Sequence, residues 1–165
     1  MTVELHSTAP ENAAPPLHSL HPLIARLCAQ TDAPVLTSDQ IDAWANRPGR
    51  ALLVFTEDPV MYRETLDLAV IVPELAHAFR SPEGAAFRVG VLLQKAARAA
   101  AARYGFRRWP AVVMLADGQY VGAIDGLREW QEYLDLLGPM LTAPPTRAPT
   151  VGIAVNAAGG APACH

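Results

Sequence analysis

The chain lacks several features that define common functional classes. It holds two cysteines, Cys28 and Cys164, which are far apart in sequence, so it has no C-x-x-C redox pair and we expect no disulfide framework. No apolar run approaches the ~20 residues that would span a bilayer. Residues 1–8 have neither a basic region nor an apolar core, so we expect no secretory signal and a cytoplasmic location.

Motifs of several enzyme classes are also missing. The glycines at positions 152, 159 and 160 do not follow a strand with phosphate-loop spacing, and no Gly-x-Ser-x-Gly elbow occurs. A net charge of −3 argues against the strongly basic surface that nonspecific nucleic-acid binding requires. What is present is a chain of 165 residues with 51% apolar side chains, which is enough for one domain with a sizeable core.

Composition divides the chain into three parts. Residues 1–20 are rich in Pro, Ala and His and show no periodicity, so we predict a flexible arm. Residues 143–165 are mostly Pro, Ala, Gly and Thr with almost no charge, and this composition predicts a disordered tail, because it buries too little apolar surface to offset ordering entropy. The folded domain is therefore predicted to span residues 21–142.

Periodicity inside this domain predicts alternating helices and strands. The predicted helices cover residues 20–30, 37–45, 68–79, 95–104 and 127–137. The predicted strands cover residues 35–36, 51–56, 87–93, 111–116 and 119–124. Gly105 is expected to stop a helix, and Asp117-Gly118 favours a tight hairpin. The last helix is predicted to end at Gly138-Pro139, with an inner stripe formed by Leu127, Trp130, Leu134 and Leu137.

Residues 102–126, ARYGFRRWPAVVMLADGQYVGAIDG, resemble the second half of a thioredoxin-like domain. The resemblance extends over about residues 35–141. It implies an α/β thioredoxin-like three-layer α/β/α sandwich with a mixed central sheet and a C-terminal β-hairpin plus helix. It also implies that Pro110 is cis. Pro73 resembles the proline that kinks the helix carrying the dithiol in redox members, but residues 65–68, where that dithiol would fall, contain no cysteine.

The segment from Glu57 to Glu74 is acidic and contains a single cation, Arg63. One interpretation is a solvated loop whose acids complement a helix start, and the other is a charge-matched patch for a cationic peptide. Trp109-Pro110 also has two interpretations. In the first, the tryptophan covers the core and the proline sets a turn. In the second, the bond is cis and the preceding backbone amide and carbonyl form an exposed edge that holds extended peptide.

Residues 55–75, FTEDPVMYRETLDLAVIVPEL, together with RRWPAVV at 107–113 and GLREW at 126–130, resemble the HyaE/HupG/HoxO family of nickel–iron hydrogenase expression proteins. Its members are cytoplasmic accessory proteins, understood to bind the hydrogenase small-subunit precursor, which carries a twin-arginine signal peptide, before cluster loading and export. The resemblance implies a chaperone rather than an enzyme, with no cofactor and with other maturation proteins as further partners. Physical reasoning then selects candidate peptide-binding residues: Glu57, Asp58, Glu64, Asp67, Trp109 and Pro110.

Three other functions are consistent with parts of the sequence. The first is a thiol-dependent oxidoreductase or peroxidase that uses Cys28. The second is a metal-handling protein, whose candidate ligands are His18, His21, Cys164 and His165, although structural sites usually present four ligands at recognisable spacings. The third is a structural subunit that dimerises through the outer strand of the hairpin, residues 119–124.

Overall fold

A computed structural model describes residues 13–150, and a four-stranded mixed sheet forms its centre. The strands are β1 (Arg50–Phe55), β2 (Arg88–Leu92), β3 (Ala111–Ala116) and β4 (Gln119–Asp125), and their order across the sheet is β2-β1-β3-β4. Strand β1 runs parallel to β2 and antiparallel to β3, which pairs in turn with β4. The mixed sheet and the terminal hairpin were both predicted.

Five helices cover the two faces of this sheet. They are α1 (Pro22–Thr31), α2 (Ile41–Ala45), α3 (Glu64–Ala78), α4 (Gln94–Tyr104) and α5 (Trp130–Met140). Leu52 and Val54 of β1 pack with α1, α3 and α5, whereas Leu53 and Phe55 pack with α2 and α4. Both faces of β1 are therefore buried, which explains its continuous apolar run and confirms the three layers.

Local signals account for several element ends. Helix α1 begins with Pro22 in its first turn, and Nδ1 of His21 accepts a hydrogen bond from the Leu23 amide at 3.2 Å. Helix α4 stops at Gly105, whose φ of 66° is readily adopted by glycine. Asp117 and Gly118 have φ angles of 50° and 82°, as the predicted tight hairpin requires.

Helix α5 differs from its prediction in register and in its end. A capping box between Glu129 and Glu132 begins the helix at Trp130, so Leu127 lies before it. Tyr133 and Leu137 are buried, whereas Trp130 is 42% exposed. The predicted inner stripe was therefore wrong at Leu127 and Trp130, and the helix continues through the predicted stop to Met140.

The predicted strand at residues 35–36 is reduced to one bridge, between Val35 and Val91. The Leu36 amide donates to the Val91 carbonyl at 2.8 Å, and the Val91 amide donates to the Pro34 carbonyl at 2.9 Å. A capping box at Thr37 then turns the chain into a 3-10 turn that leads to α2, so pairing cannot continue.

Parts of the predicted arm and tail contact the domain. Leu17–Ser19 forms one 3-10 turn before α1. At the other end, Nη1 of Arg50 donates to the Ala143 carbonyl at 2.7 Å, and the Thr146 amide donates to the Tyr120 carbonyl of β4 at 2.7 Å. Thr146 thus lies against the outer strand and Ala143 beside Arg50 of β1, which differs from the predicted free tail. Residues 1–12 of the predicted arm and 151–165 of the predicted tail lie outside the described residues.

Candidate functional site

The two parts of the predicted site meet at one end of the sheet. Phe55, the last residue of β1, pairs with Ala111, the first residue of β3. The connection that follows β1 and the Trp109-Pro110 bond that precedes β3 therefore lie at the same end of the sheet. The bond is cis, as the resemblance implied.

An aromatic chain joins these two segments. The ring of Trp109 meets that of Phe106 edge-on, with centroids 5.1 Å apart, and Phe106 meets Phe55 in the same manner at 4.9 Å. Pro110 is buried and its carbonyl accepts the Gly126 amide at 2.8 Å, whereas Trp109 stays partly exposed. Trp109 and Phe106 are thus the aromatic side chains of this corner that stay partly accessible to solvent.

Glu57, the second residue after β1, is buried at this end of the sheet. Its side chain is 1% exposed, and its carboxylate pairs with the guanidinium of Arg98 on α4. Nε2 of Gln94 lies 3.4 Å from the same oxygen, and the Glu57 amide donates to Oγ1 of the buried Thr65 at 3.1 Å. The prediction that Glu57 offers a free carboxylate to a partner is therefore wrong, because α4 already supplies its counter-ion.

The other three predicted acids face solvent or border it. Asp58 is partly exposed in the connection, and Glu64 and Asp67 are exposed in the first turns of α3, where the helix macrodipole favours negative charge. None of the four ion pairs found within residues 13–150 involves any of these three acids. This end of the sheet therefore carries three solvent-accessible carboxylates that make no ion pair among the described residues.

Sequence reasoning missed an apolar feature between these acids. Val60, Met61 and Tyr62 form a turn, here called the apolar turn, and are 83%, 75% and 36% exposed. The signal was present in the sequence as three consecutive apolar residues between Asp58-Pro59 and Arg63-Glu64, with neither helix nor strand periodicity. Large exposed apolar groups at adjacent positions indicate a contact surface.

Cations lie on the opposite flank, beside Trp109. The amides of Arg107 and Arg108 donate to Oδ2 of Asp125 at 3.0 and 3.2 Å, and the Arg108 and Arg128 guanidinium groups lie near Oδ1. Partial burial of Asp125 raises its pKa, but these hydrogen bonds and positive charges together outweigh burial and lower the pKa below its usual value. Positive charge thus predominates beside Trp109, whereas the connection after β1 and the start of α3 carry three accessible carboxylates and one cation, Arg63.

Two of the alternative functions, the thiol enzyme and the metal-handling protein, find little support in the geometry. Cys28 is 3% exposed in α1 among core residues, and burial raises the pKa of its thiol, which disfavours the reactive thiolate. Among residues 13–150, no three potential His, Cys, Asp or Glu ligands cluster as a metal site would require, and Cys164 and His165 lie beyond them. Within the same range, no helix has the length and hydropathy needed to cross a membrane.

The fold can now be placed among known structures. It is similar to a mutant thioredoxin from Halobacterium salinarum NRC-1, with a TM-score of 0.52 and 23% sequence identity, covering 70% of this chain and 96% of that chain. The similarity establishes the class of the fold, which is thioredoxin-like. At this identity it carries no conclusion about activity.

Sequence comparison identifies the family. The family model described as Hydrogenase-1 expression protein HyaE matches residues 23–133. The hydrogenase expression/formation protein HoxO of Cupriavidus necator is 36% identical over 153 residues, which are 92% of each chain. HoxO of Azotobacter vinelandii is 34% identical over 147 residues, which cover 88% of this chain and 94% of that protein. The chain therefore belongs to the HyaE family of hydrogenase expression proteins, which confirms the resemblance read from its residues.

Proposed function

We propose that this protein is a non-catalytic chaperone for maturation of a nickel–iron uptake hydrogenase, which binds the small-subunit precursor through its twin-arginine signal peptide. Membership of a family whose proteins are named for hydrogenase expression and formation supports the maturation role. One observation carries the binding role: carboxylates without ion pairs occupy the end of the sheet where redox members of this fold hold their dithiol. Binding takes place in the cytoplasm, before export.

Carboxylates at this position suit an arginine-bearing peptide. A guanidinium group can bind a carboxylate through two parallel hydrogen bonds, which orients the peptide as well as attracting it. Asp58, Glu64 and Asp67 supply these acceptors. Opposite charge steers encounter and selects partners more than it supplies affinity, as a transient chaperone requires.

The remaining site residues orient the bound peptide. Glu57 acts indirectly, because its pairing with Arg98 fixes the base of the connection that carries Asp58. The exposed cations Arg107 and Arg108 repel the arginines of the signal, so the cationic part of the peptide lies toward α3 and away from β3. The partly exposed Trp109 ring provides an apolar wall beside the chain. Occupation of the signal delays export until the subunit is assembled.

Neutralising the exposed acids tests this function. In the triple variant Asp58→Asn, Glu64→Gln, Asp67→Asn, each lost surface pair removes about 0.2–1 kcal/mol of binding free energy, so affinity for the precursor should fall about tenfold. Isothermal titration calorimetry at low and at moderate ionic strength measures the effect. The loss should shrink as salt rises, because exposed charges are screened.

A second triple variant provides the matched control. Asp39→Asn, Glu83→Gln, Asp135→Asn changes the net charge by the same amount at exposed positions outside the site. Its affinity for the precursor should remain within about twofold of the unsubstituted protein. Unchanged affinity in the site variant, or an equal loss in both triple variants, would reject the acidic docking site.

A further inference from the structure

The apolar turn is ordered by its own hydrogen bonds although its side chains face solvent. The Asp58 carboxylate accepts the Val60 amide at 2.9 Å, and the Asp58 carbonyl accepts the amides of Met61 and Tyr62 at 3.1 and 2.8 Å. The Tyr62 carbonyl in turn accepts the Thr65 amide at 3.1 Å. Exposure of these apolar groups is therefore built into the connection and does not result from a frayed loop.

The fold itself makes no use of these side chains. Neither Val60 nor Met61 belongs to, or packs against, either of the two core clusters of the described residues. Single exposed apolar residues are common on protein surfaces, but three at adjacent positions on a fixed turn form a continuous patch. Methionine also adapts its shape to varied apolar partners, which suits a surface that binds peptides.

The charges around the apolar turn indicate which kind of peptide binds to it. Asp58 precedes the apolar turn, and Arg63, Glu64 and Asp67 follow it, so three carboxylates surround the turn against one guanidinium. A peptide that satisfies both features carries cations next to an apolar run. Export signals have this order, with a positively charged region followed by about 7–15 apolar residues.

We infer that the apolar turn docks the apolar region of the signal peptide while the neighbouring carboxylates hold its arginines; this rests on the proposed function. The two contacts together distinguish an export signal from any other arginine-rich segment. The carboxylates attract an export signal and any other arginine-rich segment alike, whereas only the apolar region of the signal also buries Val60 and Met61. The turn is thus the specificity element of the site.

Three synthetic peptides test the inference on the full chain. The first has an arginine pair followed by an apolar run, the second has the same arginines followed by serines and glutamines, and the third has glutamines in place of the arginines before the apolar run. The first should bind about tenfold or more tightly than the second, because burying two apolar side chains contributes on that order. The third should bind more weakly than the first.

Substitution of the turn provides the complementary measurement. The double variant Val60→Ser, Met61→Ser should lose about tenfold in affinity for the first peptide and keep its affinity for the second. The control Val70→Ser, Leu136→Ser changes two other exposed apolar residues, which are 49% and 42% exposed on α3 and α5, and should bind like the unsubstituted protein. Circular dichroism verifies that both variants are folded.

The possible outcomes separate the inference from the proposed function. If the first two peptides bind the unsubstituted protein equally, and the third does not bind, the acidic site stands and the role of the turn is overturned. If none of the peptides binds, or if binding does not depend on the arginines, the proposed function itself fails. The peptide comparison needs no variant, so it decides the matter even if a substituted protein does not fold.

Discussion

Truncation of Arg98 to alanine should destabilise the protein through the carboxylate that it covers. The Glu57 side chain is 1% exposed and the Arg98 side chain is 58% exposed, so the substitution removes the exposed partner and leaves the buried one. Breaking a fully buried pair in this way costs about 3–5 kcal/mol. Because water reaches Arg98, we expect a smaller loss of about 2 kcal/mol in the free energy of unfolding.

The reverse substitution should be milder. In Glu57→Gln the neutral amide keeps the volume and can still accept hydrogen bonds, while the half-exposed Arg98 remains solvated. Urea unfolding followed by circular dichroism measures both variants. For a domain of this size, a loss of about 2 kcal/mol also lowers the melting temperature by about 7 °C.

A surface pair on the same helix supplies the control. Arg103 pairs with Asp42 at 2.6 Å, and their side chains are 49% and 70% exposed. Arg103→Ala should therefore cost no more than about 1 kcal/mol. If Arg98→Ala is no more destabilising than Arg103→Ala, or if Glu57→Gln costs more than Arg98→Ala, the asymmetry argued from burial is refuted.

Two further predictions concern titratable groups. The first uses a Cys164→Ser variant, in which Cys28 should react with a thiol reagent at neutral pH far more slowly in the native protein than in denaturant, since burial raises the pKa of its thiol. Fast labelling of the native protein would instead support the thiol-enzyme alternative. Asp125→Asn should destabilise the protein at pH 7, and its difference from the unsubstituted protein should shrink as pH falls below about 4. The reason is that a carboxylate with a lowered native pKa stabilises the fold above its unfolded pKa and loses that contribution on protonation. A difference independent of pH would contradict this account.

Features set by local chemistry could be predicted from the sequence. The continuous apolar run of β1 indicated burial on both faces, and Gly105 and Asp117-Gly118 indicated a helix stop and a hairpin. Each depends on a few neighbouring residues, because backbone preference and alternation act over short distances. The order of elements followed from these, and with it the class of fold.

Features that depend on distant residues were predicted less well. In the sequence, Glu57 is one of several acids in an acidic segment, and no neighbouring residue indicates that it is buried. Its buried carboxylate is stabilised by Arg98, which lies 41 residues later in the chain. The shift in α5 is different, since the capping pair Glu129 and Glu132 was visible in the sequence but carries a weaker signal than a Ser or Thr cap. The binding roles of Asp58 and its exposed neighbours remain predictions.

Amide hydrogen exchange can map where the hydrogenase small-subunit precursor binds. The exchange of this protein is measured with the precursor and with the mature subunit that lacks the signal peptide. If the signal peptide is the bound segment, the precursor should protect residues 58–67 and the surroundings of Trp109, whereas the mature subunit should leave them unchanged. Equal protection by both proteins, or protection confined to another face, would contradict binding of the signal peptide at this end of the sheet.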